Sequence, residues 1–528
     1  MRDLHFPGRS PVLAQNAMVA TSHPVAAAEA LAVLRDGGTA ADAAVSGALV
    51  LGVCEPQMAG LGGDCFALVK PAGDAAVVAL NGSGRAPHKT SADALRTEGL
   101  RSIPVGHPAS ITIPGAVDAF CALLDRFGKA GPDRVIAPAI RHFEDGVPVA
   151  SRVAFDIADH GPAMTDDARR HYLSDGRAFG FGERLSLPGQ VEVLRRIAKD
   201  GRNAFYSGEV ADDMLTALKA IGGRHSETDF SATEATWANP LSGPYRGHDL
   251  IEHPPNGQGA TAILLAGILA QFDIASMDPN GLERLHLQAE ATKLAYDARN
   301  RFLADPDHVS RVDHMLNAET ATRLSGLIDP RRAMASPEPL SEAVHKDTIL
   351  ITVVDRDGMA VSLIYSIFAT YGSGVASPKF GILFHNRGSG FNLIPGHPNE
   401  AGPGKRPMHT IIPAMRASAG TIDMAFGVMG GQYQATGHAH VMSNMIDFGM
   451  DVQEAVDAPR AFADLISGAL KVERGVPEAV RSALAEMGHD VVVPDQPIGG
   501  AQSILIDHAR GTLIGASDPR KDGLAIGF

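Results

Sequence analysis

A threonine stands where a polar, charged segment gives way to β-branched and apolar residues. Thr348 opens the run 348–354, and a short Asp-Arg-Asp-Gly segment separates it from a second run, 359–366. Asp-Gly is typical of a tight β-hairpin turn, so the two runs predict a pair of antiparallel strands. If the chain is cut before Thr348, the threonine hydroxyl becomes a candidate nucleophile. The new α-amine, with an unperturbed pKa of about 7.7–8.0, becomes a candidate base for the same reaction.

Two consecutive glycines form a second candidate for chemistry. Gly430 and Gly431 follow a predicted strand at 424–427 and open a predicted helix that ends near Gly449. The first backbone N–H groups of a helix have no partner within the helix, so they can bind a negatively charged oxygen. Because Gly-Gly pairs also occur in many ordinary turns, the sequence alone makes this pair only a candidate oxyanion hole.

Other kinds of catalytic site find little support in the sequence. His438 and His440 fall on different faces of a predicted helix, and neither an HExxH motif nor a Cys/His zinc pattern is present. No GxSxG motif marks a serine nucleophile. The glycines at 60–63 are not followed by the Lys-Ser or Lys-Thr of a phosphate-binding loop. We therefore expect neither a metal ion nor a cofactor.

The composition limits the classes of partner. The 528 residues carry 46 basic and 60 acidic side chains, a net charge of −14, which argues against nucleic acid or an anionic membrane as the main partner. The 3 cysteines are too few for a disulfide framework. Residues 1–20 lack the apolar core of a signal peptide, and the longest apolar run, 260–270, is too short to cross a bilayer. These features predict a soluble protein, and we expect it in the cytoplasm.

The hydrophobic pattern predicts a mixture of helices and strands around one large core, without repeats or linkers. Helical spacing, including a charged amphipathic pattern in the last of these segments, predicts helices at 24–36, 40–53, 260–271 and 286–303. Residues 110–240 also favour helices joined by polar loops. Besides the hairpin, short apolar runs predict strands at 64–69, 75–81, 381–384, 502–506 and 512–516.

Many short motifs, each weak by itself, occur in one order along the chain. They are Met-Val-Ala-Thr-Ser-His-Pro (18–24), Gly-Gly-Thr-Ala-Ala-Asp-Ala-Ala (37–44), Gly-Leu-Gly-Gly (60–63), Tyr-Ser-Gly-Glu (206–209), Pro-Tyr-Arg-Gly (244–247), Asp-Thr (347–348), Val-Val-Asp with Asp-Gly (353–358), Gly-Gly (430–431), Ala-Pro-Arg (458–460) and Asp-Pro-Arg with Asp-Gly (518–523). Through these motifs the chain, from about Ala17 to Phe528, resembles the γ-glutamyltranspeptidase family of N-terminal-nucleophile hydrolases.

The resemblance implies a fold of the α/β (α+β) class, a four-layer αββα sandwich made as a precursor. It implies a cut between Asp347 and Thr348 that leaves a large piece, 1–347, and a small piece, 348–528, associated through one core. Whether two such pairs form a dimer is left open by the resemblance. In this reading Thr348 is the catalytic nucleophile, Ser366 supplies a supporting hydroxyl beside it, and Gly430 and Gly431 hold the oxyanion.

The chain departs from the family where γ-glutamyl groups are held. In the run His385-Asn386-Arg387-Gly388-Ser389-Gly390, an Arg and a Gly stand where the family has Gln and Asp. Phe368 replaces an Asn, and Ser83 replaces an Arg, with Arg85 following two residues later. His409-Thr410 takes the place of the Ser-Ser pair that binds the α-carboxylate. The resemblance thus lacks the acid that anchors an ammonium group, while cationic groups are gained. Such a site favours an acid without an amine.

We therefore expect a self-processing amidohydrolase for a small amide that bears a carboxylate, with oxamate as the most specific guess. The departures and the Arg-Pro-Met-His-Thr segment also resemble the non-γ-glutamyl branch that includes oxamate amidohydrolases. The expected substrate-binding residues are Arg85, Phe368, Arg387, His409 and Thr410. Two alternatives stay open at this point. One is γ-glutamyl hydrolysis or transfer, for example on glutathione, and the other is an inactive binding protein on the same fold.

Overall fold

Two seven-stranded sheets form the centre of the molecule. The structure is a computed structural model that describes residues 5, 8–158, 164–336 and 348–528. Its strands are β1 (Val12–Ala14), β2 (Met18–Thr21), β3 (Asp64–Lys70), β4 (Val78–Gly82), β5 (Val147–Pro148), β6 (Arg184–Leu185), β7 (Thr236–Ala238), β8 (Leu241–Tyr245), β9 (His248–Glu252), β10 (Ile349–Val354), β11 (Ala360–Ser366), β12 (Pro413–Ser418), β13 (Thr421–Met429), β14 (Ala461–Ala463), β15 (Leu470–Val472), β16 (Val491–Val492), β17 (Gly500–Asp507), β18 (Thr512–Ser517) and β19 (Leu524–Gly527).

The helices pack on the outer faces of these sheets. They are α1 (Pro24–Arg35), α2 (Ala40–Cys54), α3 (Ala92–Thr97), α4 (Ala116–Phe127), α5 (Pro132–Asp145), α6 (Ser151–Ile157), α7 (Asp166–Tyr172), α8 (Pro188–Asp200), α9 (Asn203–Tyr206), α10 (Glu209–Ala220), α11 (Glu227–Ser231), α12 (Gly259–Leu269), α13 (Leu282–Phe302), α14 (Val312–Leu316), α15 (Ala318–Ser325), α16 (Gln434–Ile446), α17 (Val452–Asp457) and α18 (Glu478–Glu486). Short 3-10 helices lie at Pro108–Ser110, Ile274–Ser276, Arg387–Gly390 and Gly431–Tyr433.

Each large sheet combines strands from the two ends of the chain. Sheet I has the order β19-β2-β10-β11-β3-β4-β7, and sheet II has the order β1-β18-β17-β13-β12-β9-β8. Neighbouring strands in both sheets are antiparallel. Strands β10 and β11 form the predicted hairpin at the centre of sheet I, where they lie between β2 and β3.

The alternation of side chains along each strand produces four layers. In β10, Ile349, Ile351 and Val353 pack in the cluster that contains the residues of α1, α2 and α5. Leu350 faces the other way and packs with Met429 in the space between the two sheets. On the far side of sheet II, a third cluster joins the strands to α12, α13 and α16. Because a strand presents alternate residues to opposite faces, each sheet buries both of its faces. The predicted αββα sandwich is confirmed.

Most predicted elements are present, but two differ from the expectation. The predicted strand at 381–384 is wrong, because Leu383 and Phe384 make only single bridges and the run's apolar character reflects burial within a loop. The predicted charged amphipathic helix is α13, yet polar residues such as Arg284, Glu290 and Lys293 are buried on it. Their charged groups are paired with neighbouring polar groups, which makes burial tolerable.

Among the residues that the structure describes, no helix is both long enough and apolar enough to cross a membrane.

Candidate active site

Thr348 lies at the start of β10, where the hairpin faces the space between the sheets. It is fully buried. Strand β10 pairs with β11 so that Ile349 stands opposite Tyr365, and one step further the same register brings Thr348 opposite Ser366. Because side chains alternate, Thr348 shares a face with Leu350, which packs between the sheets. The structure therefore brings the two predicted hydroxyl residues together. Asp347, the other half of the predicted cleavage site, lies outside the described residues.

Ser366 is held at the end of β11 by the loop that follows it. Its Oγ accepts a hydrogen bond from the backbone N–H of Phe368 at 2.9 Å, and its partner in the neighbouring strand is Asp64. Phe368 has a φ of 78°, a left-handed conformation that a bulky aromatic residue rarely adopts. Strain of this kind persists where the surroundings impose it, and it often marks a functional site.

Strand β13 of sheet II runs towards the same end of the sandwich as Thr348. Ser362, deeper in the hairpin, donates a hydrogen bond to the carbonyl of Phe426 at 2.8 Å. Leu350, nearer to Thr348, packs against the next residue of β13, because a Cβ atom on Gly427 would lie 3.0 Å from its methyl groups. The chain direction of β13, from Phe426 to Gly427, therefore points towards the end of the hairpin that carries Thr348.

The glycine turn that follows β13 has the geometry expected of an anion site. Gly430 and Gly431 have φ values of 110° and 57°, and a Cβ atom on Gly430 would lie 2.6 Å from the Cα of Gly499. Only glycine fits this conformation and this close approach. Outside the strand ladders and helices, no backbone hydrogen bond among the described residues uses the N–H of either glycine. Two such N–H groups can bind a developing oxyanion.

A glutamine holds the glycine turn in place. The Nε2 atom of Gln258 donates to the carbonyls of Thr410, at 2.7 Å, and Gly431, at 3.3 Å. Its Oε1 atom accepts from Nη1 of the buried Arg299 at 2.9 Å. Arg299 also donates to the side chain of Gln432. One amide, oriented by a guanidinium on α13, thus ties together the two segments that border the candidate site.

Arg387 brings a buried positive charge to the site. The residue is fully buried at the start of a short 3-10 helix. Its Nη1 atom donates to the hydroxyl of Thr410 at 3.1 Å, and its guanidinium carbon lies 4.1 Å from the centre of the Phe368 ring. Burial lowers the pKa of Arg387 to about 9, so the side chain stays protonated at neutral pH. Its Nε and Nη2 atoms have no hydrogen-bond partner among the described residues.

An aspartate that the sequence analysis did not foresee lies beside these groups. Asp64 is buried, and its Oδ1 atom accepts the N–H of Gly84 at 2.9 Å. Its Oδ2 atom is 3.3 Å from Nε2 of His409 and 3.5 Å from Nδ1 of His385. Burial raises the pKa of Asp64, but His385, His409 and Arg387 outweigh this effect and bring the pKa to about 2. The expectation of a site without an acid therefore needs correction.

The two histidines stay uncharged at neutral pH. Burial, together with the nearby charge of Arg387, lowers the pKa of His409 to about 3. Burial also lowers the pKa of His385. Asp64 and Arg387 are then the charged members of the cluster. The carboxylate oxygens of Asp64 lie against Gly84 and His409. Two N–H groups of Arg387 have no partner among the described residues, so they are available to bind a ligand.

Arg85 has a different environment from the other predicted site residues. Its side chain is 38% exposed, and it donates to the carboxylate of Asp305 at 3.4 Å and to the carbonyl of Gly404 at 3.0 Å. Arg406, in the segment before β12, is buried instead, and it donates through Nε to the carbonyl of Ser83 at 2.8 Å. Its remaining nitrogens donate to Thr236 Oγ1 and the carbonyl of Glu234. A role for Arg85 in substrate binding stays a prediction.

Sequence reasoning placed Thr348, Ser366, Phe368, Arg387, His409 and Thr410 in the site, but it missed Asp64, Gln258 and Arg299. Asp64 directly follows Gly62-Gly63 in a segment that the sequence analysis assigned to a strand. Gln258 stands in the glycine-rich loop before α12. A polar residue beside glycines was the available signal in both cases, whereas nothing near Arg299 marked it.

Comparisons with known proteins support one assignment across the whole chain. The sequence profile of the family described as gamma-glutamyltranspeptidase matches residues 26–528. The chain is 35% identical to the oxamate amidohydrolase proenzyme of Klebsiella pneumoniae, over 97% of this chain and 98% of that protein. It is 33% identical to the glutathione hydrolase-like YwrD proenzyme of Bacillus subtilis, over 98% and 99%. The structure resembles the cephalosporin acylase of Bacillus halodurans with a TM-score of 0.91 and 34% identity, covering 100% and 99%.

Two of the buried arginines, Arg406 and Arg387, provide a test of the unpaired donors. Arg406→Met leaves the carbonyls of Ser83 and Glu234 without donors, and we expect it to lower the free energy of unfolding by roughly 2–4 kcal/mol. Arg387→Met removes two unpaired buried N–H groups, but it also removes the positive charge near the buried Asp64 and the donor to Thr410, so we expect a smaller loss, of roughly 1–2 kcal/mol. Thermal unfolding followed by circular dichroism would compare the two. Equal large losses from both substitutions would show that the Arg387 donors have partners.

Proposed function

The chain belongs to the gamma-glutamyltranspeptidase family of hydrolases, and from this premise we propose a self-activating amidohydrolase. It cuts its own chain before Thr348 and then hydrolyses a small amide that bears a carboxylate. The relatives from Klebsiella pneumoniae and Bacillus subtilis compared above are both named proenzymes, which supports a precursor that matures by cleavage. The fold resembles that of an acylase, which supports chemistry at an amide bond.

The proposed reaction uses one residue for two tasks. After cleavage, the free α-amine of Thr348 takes the proton of its own hydroxyl, and the Oγ atom attacks the amide carbonyl. The N–H groups of Gly430 and Gly431 receive the oxyanion, with a contribution of about 2.7–4 kcal/mol per donor. The amine leaves with a proton, and water then releases the acyl group from Thr348. Ser366 lies beside the nucleophile and supports it.

The single observation that carries the substrate class is the environment of Arg387. A buried guanidinium with two unpaired N–H groups matches the two oxygens of a carboxylate. Phe368 covers one face of this guanidinium, and Thr410 accepts from its third nitrogen. His409 and Asp64 complete the surroundings. A carboxylate bound here would place its neighbouring carbon towards the Thr348 end of the hairpin.

Oxamate is the substrate that we propose, because its amide carbonyl is joined directly to a carboxylate. Its hydrolysis consumes one water and gives oxalate and ammonium, which balances without a cofactor. The oxamate amidohydrolase relative supports this choice. The alternative is γ-glutamyl hydrolysis, and the glutathione hydrolases among the relatives favour it. That substrate needs an acceptor for its ammonium group, and the oxygens of Asp64 already receive hydrogen bonds or lie against histidines.

The two proposed pieces, 1–347 and 348–528, should stay together after cleavage. Sheet I contains β2, β3, β4 and β7 from the first piece and β10, β11 and β19 from the second. Sheet II is mixed in the same way. Separation would expose the buried faces of both sheets, at a cost of about 25 cal/mol for each Å² of apolar surface. Whether two such pairs form a dimer, and whether the enzyme works in the cytoplasm, stay predictions.

The first prediction from the proposed function concerns maturation. Purified wild-type protein should give two fragments on a denaturing gel, and the intact mass of the smaller one should correspond to 348–528. Thr348→Ala should stay uncut because it lacks the attacking hydroxyl, whereas Thr348→Ser should still be cut, because a serine keeps it. A cut at another bond would contradict the proposal. An uncut wild-type chain after long incubation would also contradict it and would favour a binding protein.

The second prediction concerns the carboxylate. Wild-type enzyme should hydrolyse oxamate much faster than oxamide, its neutral analogue, and faster than γ-glutamyl-p-nitroanilide. Arg387→Gln should lower kcat/KM for oxamate by roughly 100-fold or more, because a charged hydrogen-bonded pair is lost, but should have a much smaller effect on oxamide. Arg85→Gln is the matched control, and its effect should be small. Equal losses on both substrates, or γ-glutamyl turnover above that of oxamate, would refute this substrate class.

The third prediction concerns the glycine turn. Gln258→Glu keeps the size of the side chain and its contact with Arg299, but it removes the N–H donors to Gly431 and Thr410. We expect kcat to fall by roughly 10- to 100-fold while KM changes little, because the oxyanion donors lose their alignment. Gln271→Glu, at an exposed position just after α12, serves as the control. Steady-state kinetics of the matured protein give both constants, and an unchanged kcat would contradict the role of Gln258.

A further inference from the structure

Outside the candidate active site, three side chains from distant parts of the sequence converge in the interior. His286 and Glu290 lie one turn apart on α13, and His489 follows α18. All three are buried, and the atoms that could bind an ion lie within 4.8 Å of one another. The closest pair is Nδ1 of His286 and Nε2 of His489, at 2.9 Å. We propose that this cluster binds a divalent transition-metal ion such as Zn²⁺.

Backbone groups orient the two ligands on α13 before any ion arrives. Nε2 of His286 lies 2.8 Å from the carbonyl of Asp329, which can only accept, so Nε2 carries the proton. The lone pair of Nδ1 then faces Nε2 of His489, which donates its proton to it, so binding of an ion requires that proton to move to Nδ1 of the His489 ring. One oxygen of Glu290 accepts the N–H of Met334 at 2.8 Å. Hydrogen bonds of this kind fix ring and carboxylate orientation in metal sites and raise their affinity.

The donor set selects the kind of ion. Two neutral imidazoles and one carboxylate suit Zn²⁺ and its neighbours, whereas Mg²⁺ and Ca²⁺ prefer oxygen ligands alone. Three protein ligands leave one position of a tetrahedral ion open. The histidines considered in the sequence analysis, His438 and His440, instead bond to Glu252 and Arg284.

Lys293 competes with the ion for the same carboxylate. Its ammonium group lies 2.8 Å from Glu290 Oε1 and 2.8 Å from the carbonyl of Met334. A second cation beside it is repelled, which lowers the affinity of the site. The competition gives the proposal an unusual signature: removal of Lys293 strengthens binding, whereas removal of either histidine abolishes it.

The position of the cluster gives the ion a structural role. His286 and Glu290 belong to the first proposed piece of the chain, and His489 belongs to the second. Asp329 and Met334, which contact the cluster, lie shortly before the proposed cleavage site. The ion would therefore link the two pieces after self-cleavage. This link rests on the proposed function, whereas ion binding itself does not.

Cobalt titration of chelator-treated protein tests the proposal. Wild type should bind about one Co²⁺ per chain and develop visible d–d absorption without the near-ultraviolet band of a thiolate ligand. That distinction excludes the three cysteines as the source. Lys293→Met should bind roughly tenfold more tightly or better, and His489→Gln should lose the signal. Zn²⁺ should displace Co²⁺ and raise the Tm of wild type and Lys293→Met, but not that of His489→Gln.

Matched variants distinguish this cluster from metal binding elsewhere on the chain. His508→Gln, which removes an exposed histidine far from α13 in the sequence, should bind Co²⁺ as wild type does. Glu290→Gln provides a second loss variant in case His489→Gln folds poorly. Uncut Thr348→Ala protein should also bind as wild type does, so a failure of cleavage does not affect the result. Absence of Co²⁺ absorption in both wild type and Lys293→Met, or its retention in His489→Gln and Glu290→Gln, would overturn the proposal.

Discussion

The pairing of β10 with strands from the first half of the chain is the constraint on which the candidate site depends. β10 lies between β2 and β11, and β11 pairs with β3. Thr348 is therefore the residue before a central strand of a sheet that is covered on both faces. A residue in a loop would need other groups to hold it. Here the pairing of the sheet fixes the position of Thr348, and the same register brings Ser366 and Asp64 to that end.

The positive charge of Arg387 is only partly paired, which favours an anionic ligand. Arg406 and Arg387 are both buried, but the hydrogen-bond donors of Arg406 meet carbonyls and a hydroxyl, whereas two donors of Arg387 do not. A buried hydrogen-bond donor without a partner lowers the stability of the folded protein, so its presence is explained best by a ligand that pairs with it. Neutral His385 and His409 lie against the carboxylate of Asp64, and no hydrogen bond between Asp64 and Arg387 is present among the described residues. The site thus offers positive charge beside Phe368 and Thr410.

The sequence predicted the elements that depend on local pattern and missed what depends on contacts between distant residues. The β-branched and apolar runs and the Asp-Gly turn were sufficient to predict the hairpin. The helical spacing of apolar residues was sufficient to predict α1, α2 and α12. The buried run at 381–384 has the composition of a strand but no partner strand. Helix α13 has the composition of a surface helix, yet its charged residues are paired inside the protein. Asp64 and Gln258 join the site only through folding, and the glycines beside them were a local signal that did not show which residues they contact.

The family resemblance located Thr348, Ser366 and the glycine pair, which hairpin and turn chemistry alone left as candidates. It could not choose between Arg85 and Arg387 as the proposed substrate-binding group, because the sequence does not show which side chain is buried. Burial favours Arg387, which is enclosed and has two unpaired donors, whereas the Arg85 side chain is 38% exposed and bonded to Asp305.

A crystal structure of the matured enzyme with oxalate, the product of oxamate hydrolysis, tests the central claim most directly. The account predicts one carboxylate of oxalate within hydrogen-bond distance of Nε and Nη2 of Arg387. It predicts the other carboxylate between the hydroxyl of Thr348 and the N–H groups of Gly430 and Gly431. Oxalate bound to Arg85 instead, or a chain that still joins residue 347 to Thr348 around an occupied site, would contradict the account.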